Sequence, residues 1–202
     1  DGYRPENFNR EFNGDVTIAE ALQHSLNVPA VLTLDQVGPQ RFAAMLDAAG
    51  VDAVRPVRAD ERASLAIALG GLGVTARDLG MLYSGLADGG TVRPLLWRED
   101  HIGAQPVDGF RFMSPENAAE ITRILKAAPT PAGRMPAVLT RQAPAIAFKT
   151  GTSYGYRDAW AAGYTDDYTV IVWTGHASGQ PRPGLTGREA ALPLLFDLFD
   201  RL

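Results

Sequence analysis

Apolar positions in the first half of the chain recur at helical spacing. Between residues 15 and 90, apolar side chains three and four positions apart predict a series of amphipathic helices. One of these helices is expected to begin after Gly38 and to end near Gly50, with Gly50 as its C-terminal cap. Its apolar face is formed by Phe42, Met45, Leu46 and Ala49. Residues 64–69 are so apolar that we expect them to be buried.

Short polar motifs predict where helices begin. Each places a Ser or Thr hydroxyl before the first turn: Thr17 with Glu20, Thr75 with Asp78, Ser114 with Pro115, and Thr186 with Glu189. The helix that begins after Thr17 is expected to run through residues 21–24 and to stop near residues 27–29. Pro29 is the reason, since proline disfavours the helical conformation in the residue before it.

The second half of the chain changes to a strand-like pattern. Short strands are predicted between residues 91 and 112, and a further strand over residues 145–151. Residues 159–164 and 168–173 flank the turn-rich triplet 165–167, a pattern typical of a β-hairpin. An apolar helix is expected to close the chain. The sequence therefore predicts one α+β domain over residues 1–202, mainly helical over 15–128, with sheet strands and a terminal helix over 145–202.

Composition narrows the classes of partner. The formal net charge is −4 and the charges are scattered, which argues against nucleic acid or an anionic membrane surface as a partner. The chain has no Cys, and its three His residues (His24, His101 and His176) fit no metal spacing. We expect neither a metal nor a cofactor. The first residue is Asp rather than Met, so we expect the chain to be a piece of a longer protein.

The most informative string is Lys-Thr-Gly-Thr at residues 149–152. The chain has only two lysines, Lys126 and Lys149. A cation, hydroxyls and a bare glycine backbone on one exposed strand suit a ligand that carries a carboxylate and a reacting carbonyl. Taken alone, the same string fits an ordinary strand end with a solvated lysine equally well.

A second motif precedes it by 124 residues. Ser25 and Asn27 form a Ser-x-Asn triplet at the foot of the first predicted helix. By itself such a triplet is most often only a helix end. Its combination, in this order, with Lys-Thr-Gly and with the Asp-Ala-Trp that begins at Asp158 matches two of the three motifs of penicillin-binding proteins and serine β-lactamases.

The chain thereby resembles the transpeptidase domain of class A penicillin-binding proteins, most closely the 1C branch. Four stretches carry the resemblance in the family's order: residues 3–8, 21–30, 68–90 and 148–160. The resemblance implies a serine β-lactamase/D,D-transpeptidase-like fold, in which a five-stranded antiparallel sheet flanked by helices lies beside a helical part. It also implies acyl transfer on peptidoglycan stem peptides ending in D-Ala-D-Ala, and covalent inhibition by β-lactams.

The resemblance also assigns roles by position. Ser25 helps to pass a proton toward the leaving amine, and Asn27 holds the substrate amide. Lys149, Thr150 and Thr152 bind the terminal carboxylate. The Thr152 amide donates to the oxyanion, and Gly151 leaves room for the acyl group.

One motif of the family is absent from the sequence. The nucleophile is the Ser of Ser-x-x-Lys, but none of the six serines has Lys three positions later. We expect this motif to lie before Asp1, so that the domain is truncated at its N-terminus and the piece alone is inactive. The missing part is expected as a partner, as a second chain or as residues outside this sequence.

The resemblance further implies a parent protein on the outer face of the cytoplasmic membrane. An N-terminal anchor and a glycosyltransferase domain are both expected outside this chain. Two alternatives stay open: a β-lactamase or D,D-carboxypeptidase of the same fold, and a non-catalytic sensor module that binds β-lactams or muropeptides.

Overall fold

The computed structural model describes residues 14–54, 64–98, 108–135 and 145–202. Within these ranges the α-helices are α1 (Ile18–Gln23), α2 (Asn27–Val37), α3 (Pro39–Ala48), α4 (Ala76–Ala87), α5 (Pro115–Lys126) and α6 (Leu192–Phe199). The strands are β1 (Thr91–Val92), β2 (Phe110–Arg111), β3 (Ala147–Thr152), β4 (Asp158–Tyr164) and β5 (Thr169–Gly175). A 3₁₀ turn spans Leu65–Leu69, and a π-helical turn spans Gly187–Ala191.

The predicted polar caps start the helices. Thr17 accepts a hydrogen bond from the Glu20 amide, while the Glu20 carboxylate accepts one from the Thr17 amide. The same reciprocal pair starts α4 at Thr75. Ser114 accepts a hydrogen bond from the Asn117 amide and Pro115 occupies the first turn of α5. Each cap satisfies amides that lack a partner inside the helix, so these predictions are confirmed.

Two predictions in the helical part were wrong. The first helix ends at Gln23, and Pro29 lies in the first turn of α2 rather than ending α1. Proline is tolerated there because a first-turn amide has no helical acceptor. The apolar turn Leu65–Leu69 was expected to be buried, but none of its residues is. The short turn packs on α2, and its residues are half-buried except Ala66, which is exposed.

The late strands form an antiparallel sheet with the order β3-β4-β5. In the register, Lys149 pairs with Ala162 and Trp160 pairs with Trp173. The turn between β4 and β5 is closed by the Thr165 amide, which donates to the Tyr168 carbonyl at 2.9 Å. The predicted hairpin and the three late strands are confirmed. The two short strands β1 and β2 pair with each other, and residues 99–107 between them lie outside the described ranges.

Helices cover both faces of this sheet. On one face, apolar side chains of α6 and of the sheet form one buried cluster. Its members include Phe148, Ala161 and Val172 of the sheet and Leu192, Leu195, Phe196 and Phe199 of α6. On the other face, Ala147 and Tyr164 pack against Leu125 of α5. Tyr164 also donates to, or accepts from, the Thr122 hydroxyl at 2.8 Å, which ties β4 to α5. This second face carries Lys149, because residues 147, 149 and 151 of a strand share one side.

Candidate active site

The turn between α1 and α2 holds Ser25 in an uncommon conformation. Ser25 has a φ of 55°, in the left-handed region. Its amide donates to the Leu22 carbonyl at 3.3 Å, and the Leu26 amide donates to the Ala21 carbonyl at 2.9 Å. These two bonds form a Schellman motif with Ser25 at the position that usually carries glycine. The motif ends α1 and presents the Ser25 hydroxyl to solvent.

Lys149 of β3 reaches this hydroxyl. Its Nζ donates to Ser25 Oγ at 2.5 Å and to the Thr150 carbonyl at 2.8 Å. The two residues lie 124 positions apart in the chain. The structure therefore brings the two side chains into contact, whereas the roles assigned to them stay predictions.

Burial perturbs the Lys149 ammonium. Removal from solvent lowers the pKa of Lys149 from 10.5 to about 8, because the charged form loses hydration. At neutral pH the side chain is still mainly protonated. The ion pairs found in the described part of the chain do not include Lys149. Its charge is therefore available to an anionic ligand.

Within the described ranges, no strand pairs with the outer edge of β3. The Ser153 amide donates to the Asp158 carbonyl at 2.9 Å, so residues 153 and 158 form a hydrogen-bonded pair of the ladder. Antiparallel ladders alternate, so the backbone groups of Lys149 and Gly151 also face β4, while those of Thr150 and Thr152 point outward. The Thr152 amide, predicted to donate to an oxyanion, therefore faces the same edge as the Thr150 carbonyl that Lys149 contacts.

The Thr152 hydroxyl faces away from Lys149. Its Oγ1 accepts a hydrogen bond from the Gly187 amide at 3.0 Å, on the side of the sheet that α6 covers. The hydroxyl keeps its own proton for a second bond. Gly151 is exposed on the Lys149 side, where an added Cβ would meet, among the described residues, only the Trp160 Cβ, at 3.6 Å. The role expected of Gly151, leaving room for an acyl group, stays a prediction.

Asn27 opens α2 two residues after Ser25 and is half-buried. The structure thus brings together Ser25, Lys149 and the outer edge of β3, and places Asn27 two residues after Ser25, at the start of α2. Sequence reasoning missed two residues that hold this arrangement. Gln23 donates from Nε2 to the Ile124 carbonyl at 3.1 Å, and Gly187 lets the terminal helix approach β3 and β4 closely. No local sequence pattern signals either contact.

Within the described ranges, no group of three or more His, Asp or Glu side chains could hold a metal ion. No helix among these residues is long and apolar enough to cross a membrane. His101 and residues 3–8, which carry part of the family resemblance, lie outside the described residues.

A family profile described as the penicillin binding protein transpeptidase domain matches residues 2–192. The chain belongs to this family. The resemblance read from the sequence, including its likeness to the 1C branch, is confirmed.

Curated relatives agree with the profile. The chain is 41% identical over 195 residues to penicillin-binding protein 1C of Escherichia coli K12, covering 96% of this chain and 24% of that protein. It is 32% identical over 187 residues to penicillin-binding protein 1F of Bacillus subtilis 168, covering 86% of this chain and 25% of the relative. The chain thus spans about a quarter of the length of these relatives.

Solved structures confirm the fold. Penicillin-binding protein 1A from Haemophilus influenzae superposes with a TM-score of 0.77 at 19% identity, covering 99% of this chain and 36% of that one. PonA1 from Mycobacterium tuberculosis, solved in complex with penicillin V, gives 0.70 at 23% identity, covering 97% of this chain and 58% of that one. The predicted serine β-lactamase/D,D-transpeptidase-like fold is therefore correct.

Proposed function

We propose that this chain forms the donor-binding part of a peptidoglycan D,D-transpeptidase. In the reaction, a serine hydroxyl attacks the carbonyl that joins the last two D-alanines of a stem peptide. The terminal D-Ala leaves as an amine, and the amine of a second stem peptide then takes the acyl group to complete a 4→3 cross-link. The observation that carries the proposal is the 2.5 Å contact between Ser25 Oγ and Lys149 Nζ beside the outer edge of β3.

Each residue of the site has a role in this proposal. The Lys149 ammonium attracts the terminal carboxylate of the donor to the outer edge of β3. Thr150 and Thr152, whose side chains lie on the other face of this strand, add hydrogen bonds to the carboxylate from that side of the edge. Ser25 accepts from Lys149, so its own proton is free to move toward the leaving amine. The outward Thr152 amide stabilises the oxyanion, Gly151 admits the acyl group, and Asn27 holds the donor's amide.

The attacking serine is assigned to a segment outside this sequence. None of the six serines of the chain is followed by Lys three residues later, so a transpeptidase needs the Ser-x-x-Lys motif from another part of the protein. We place it in the part of the protein that precedes Asp1. The 202 residues alone would then bind the donor without being acylated by it.

The longer protein is proposed to work outside the cytoplasmic membrane. Its substrates are stem peptides of the cell wall, and β-lactams are its covalent inhibitors. A membrane anchor and a glycosyltransferase domain belong to this proposal as parts of the longer protein. Relatives about four times the length of this chain leave room for both.

Replacing Lys149 tests the proposal. In the longer protein, Lys149→Ala should slow acylation by a fluorescent penicillin about 10²–10³-fold, the usual loss when a site loses one such charged or oxyanion-type donor. The melting temperature should change little, because the ammonium only bonds Ser25 and a carbonyl at an open edge. Acylation at the wild-type rate would contradict the proposal.

The chain supplies a matched control. Lys126, the other lysine of the sequence, lies at the end of α5 and is 4.0 Å from Asp166. Lys126→Ala should leave acylation unchanged. A comparable loss of acylation in both variants would mean that the effect comes from net charge or folding in general rather than from the site.

The same assay separates the two alternatives. A β-lactamase or D,D-carboxypeptidase of this fold would hydrolyse its acyl-enzyme quickly, so the label would disappear within the assay. A sensor module without Ser-x-x-Lys would take up no covalent label. A stable acyl-enzyme that forms only with Lys149 intact supports the transpeptidase.

A further inference from the structure

The distance between Ser25 and Lys149 depends on how α1 sits against the sheet. Ser25 follows α1 directly, whereas Lys149 lies in the middle of β3. The helix α1 has six residues and buries none of them. A helix this short is only marginally stable by itself, so tertiary contacts must fix its position.

One such contact comes from Gln23, the last residue of α1. Its side-chain Nε2 donates to the backbone carbonyl of Ile124 at 3.1 Å, across 101 residues of sequence and in a half-buried position. Ile124 is in the last turn of α5, where its carbonyl also accepts a hydrogen bond from the Ala127 amide at 3.2 Å. A carbonyl oxygen has two lone pairs, so the Gln23 side chain can bond the same atom and anchor the end of α1.

The Ile124 end of α5 is itself fixed to β3. Ile124 and its neighbour Leu125 are 5% and 4% exposed. Leu125 packs in one buried cluster with Ala147 and Tyr164 of the sheet. Ala147 lies two residues before Lys149 on the same face of β3. A short rigid path thus runs from Lys149 through Ala147 and Leu125 to the Ile124 carbonyl.

We infer that Gln23 is a positioning residue that sets the contact between the Ser25 hydroxyl and the Lys149 ammonium. Ser25 follows the Gln23 anchor by two positions, and the Schellman turn that links them is closed by its own hydrogen bonds. Loss of the anchor frees the end of α1, and water then enters between Ser25 and Lys149. The inference concerns the geometry of the pair; its meaning for catalysis rests on the proposed function.

Lysine-selective NMR of the 202-residue chain measures this directly, because the chain has only two lysines. In the wild type, Lys149 should titrate with the lowered pKa of about 8 that burial gives it. Gln23→Met keeps the length of the side chain and removes the donor. We expect this variant to raise the pKa of Lys149 toward its ordinary 10.5 and to leave the Lys126 signal unchanged.

Two variants control the result. Gln23→Arg keeps N–H donors within reach of the Ile124 carbonyl and adds no lysine signal, so it should restore most of the wild-type titration. Gln36→Met makes the same chemical change at an exposed position of α2 and should have no effect. Wild-type titration in Gln23→Met, failure of Gln23→Arg to rescue, or an equal shift in Gln36→Met would each overturn the inference.

A double-mutant cycle separates positioning from general destabilisation. With Ser25→Gly, Lys149 has already lost its hydroxyl partner, so adding Gln23→Met should change its titration much less than in the wild-type background. Purely additive effects would contradict the inference, even if Gln23→Met lowers the melting temperature. This experiment involves no acylation. The inference about Gln23 and the proposed function can therefore be contradicted independently of each other.

Discussion

Ser25 occupies a backbone position that favours glycine. A left-handed conformation costs an L-residue about 1–2 kcal/mol, yet a serine is found here, at φ 55°, next to Lys149. Strain of this kind at a candidate site suggests that the side chain is needed for function. The backbone and the hydroxyl of Ser25 can therefore be tested separately.

Ser25→Gly should remove the hydroxyl without harming the fold. Relief of the left-handed strain offsets the ~0.5–1 kcal/mol that glycine's extra freedom costs in the unfolded state. We expect a melting temperature at or above that of the wild type, together with a large loss of penicillin acylation in the longer protein. Ser25→Ala, which keeps the strain, should melt no higher than the wild type and lose acylation equally. Acylation of Ser25→Gly at the wild-type rate would show that the site needs only the backbone conformation at residue 25 and not the hydroxyl.

The lowered pKa of Lys149 predicts a pH dependence of stability. Between about pH 8 and its unfolded value of 10.5, Lys149 binds fewer protons in the folded chain than in the unfolded chain. The folded state should therefore gain stability as the pH rises through this interval. Denaturant unfolding at several pH values should show that Lys149→Met lacks this gain and Lys126→Met keeps it. A gain that persists in Lys149→Met would contradict the assignment.

The sequence reveals some site residues and conceals others. Ser25 and Lys149 could be predicted because each belongs to a short motif with its own chemistry. Gln23 could not be predicted, since its partner is a backbone carbonyl 101 residues away and any residue type could supply it. The hydrogen bond that the Thr152 hydroxyl accepts from the Gly187 amide could not be predicted either, since its partner is also a backbone group distant in the sequence.

At the scale of elements, local signals decided what could be predicted. Helix starts after Thr17, Thr75 and Ser114 followed from caps that act within four residues. The start of α2 was missed because its N-cap, Leu26, makes no side-chain capping bond. Pro29 fits either a helix stop or a first turn, and only the Schellman turn around Ser25 decides between them.

The π-helical turn before α6 depends on a glycine. A Cβ on Gly187 would lie under 3.0 Å from the carbonyl oxygens of Gly151 and Trp160, so Gly187→Ala must push this turn away from the sheet. We expect a loss of about 1–3 kcal/mol in the free energy of unfolding, the usual cost of overpacking. Acylation in the longer protein should also fall, because the Thr152 hydroxyl loses its Gly187 partner.

Gly80 provides the matched control for this substitution. An added Cβ there would meet Leu95 and Ile171 at 3.7 and 3.8 Å, which is ordinary contact. Gly80 lies inside α4, so Gly80→Ala should stabilise the chain by up to ~1 kcal/mol through helix propensity. Denaturant unfolding measures the free energy of unfolding of both variants. Equal stability of Gly187→Ala and the wild type would contradict the close packing of Gly187 against the sheet.

At the scale of the whole molecule, the sheet has two different edges. The outer edge of β3 carries the candidate site, with the Thr152 amide directed outward. The outer edge of β5 has no strand partner within the described ranges. The Thr165–Tyr168 hydrogen bond fixes the alternation of this ladder, so the backbone groups of Thr169, Ile171 and Trp173 point outward. Nearby, Leu194 and Leu198 of α6 are 48% and 46% exposed.

This β5 edge predicts how the 202-residue chain behaves in isolation. An open edge rich in β-branched and aromatic residues recruits other strands, so the chain should self-associate and melt below the same domain in the longer protein. Thr169→Lys places a charge on the edge and should reduce association, whereas Thr33→Lys adds the same charge to an exposed position of α2 and should not. Sedimentation velocity at several concentrations, together with thermal unfolding, measures both effects. A monomer that is as stable as the domain within the longer protein would contradict the prediction, because it would mean that β5 needs no further strand.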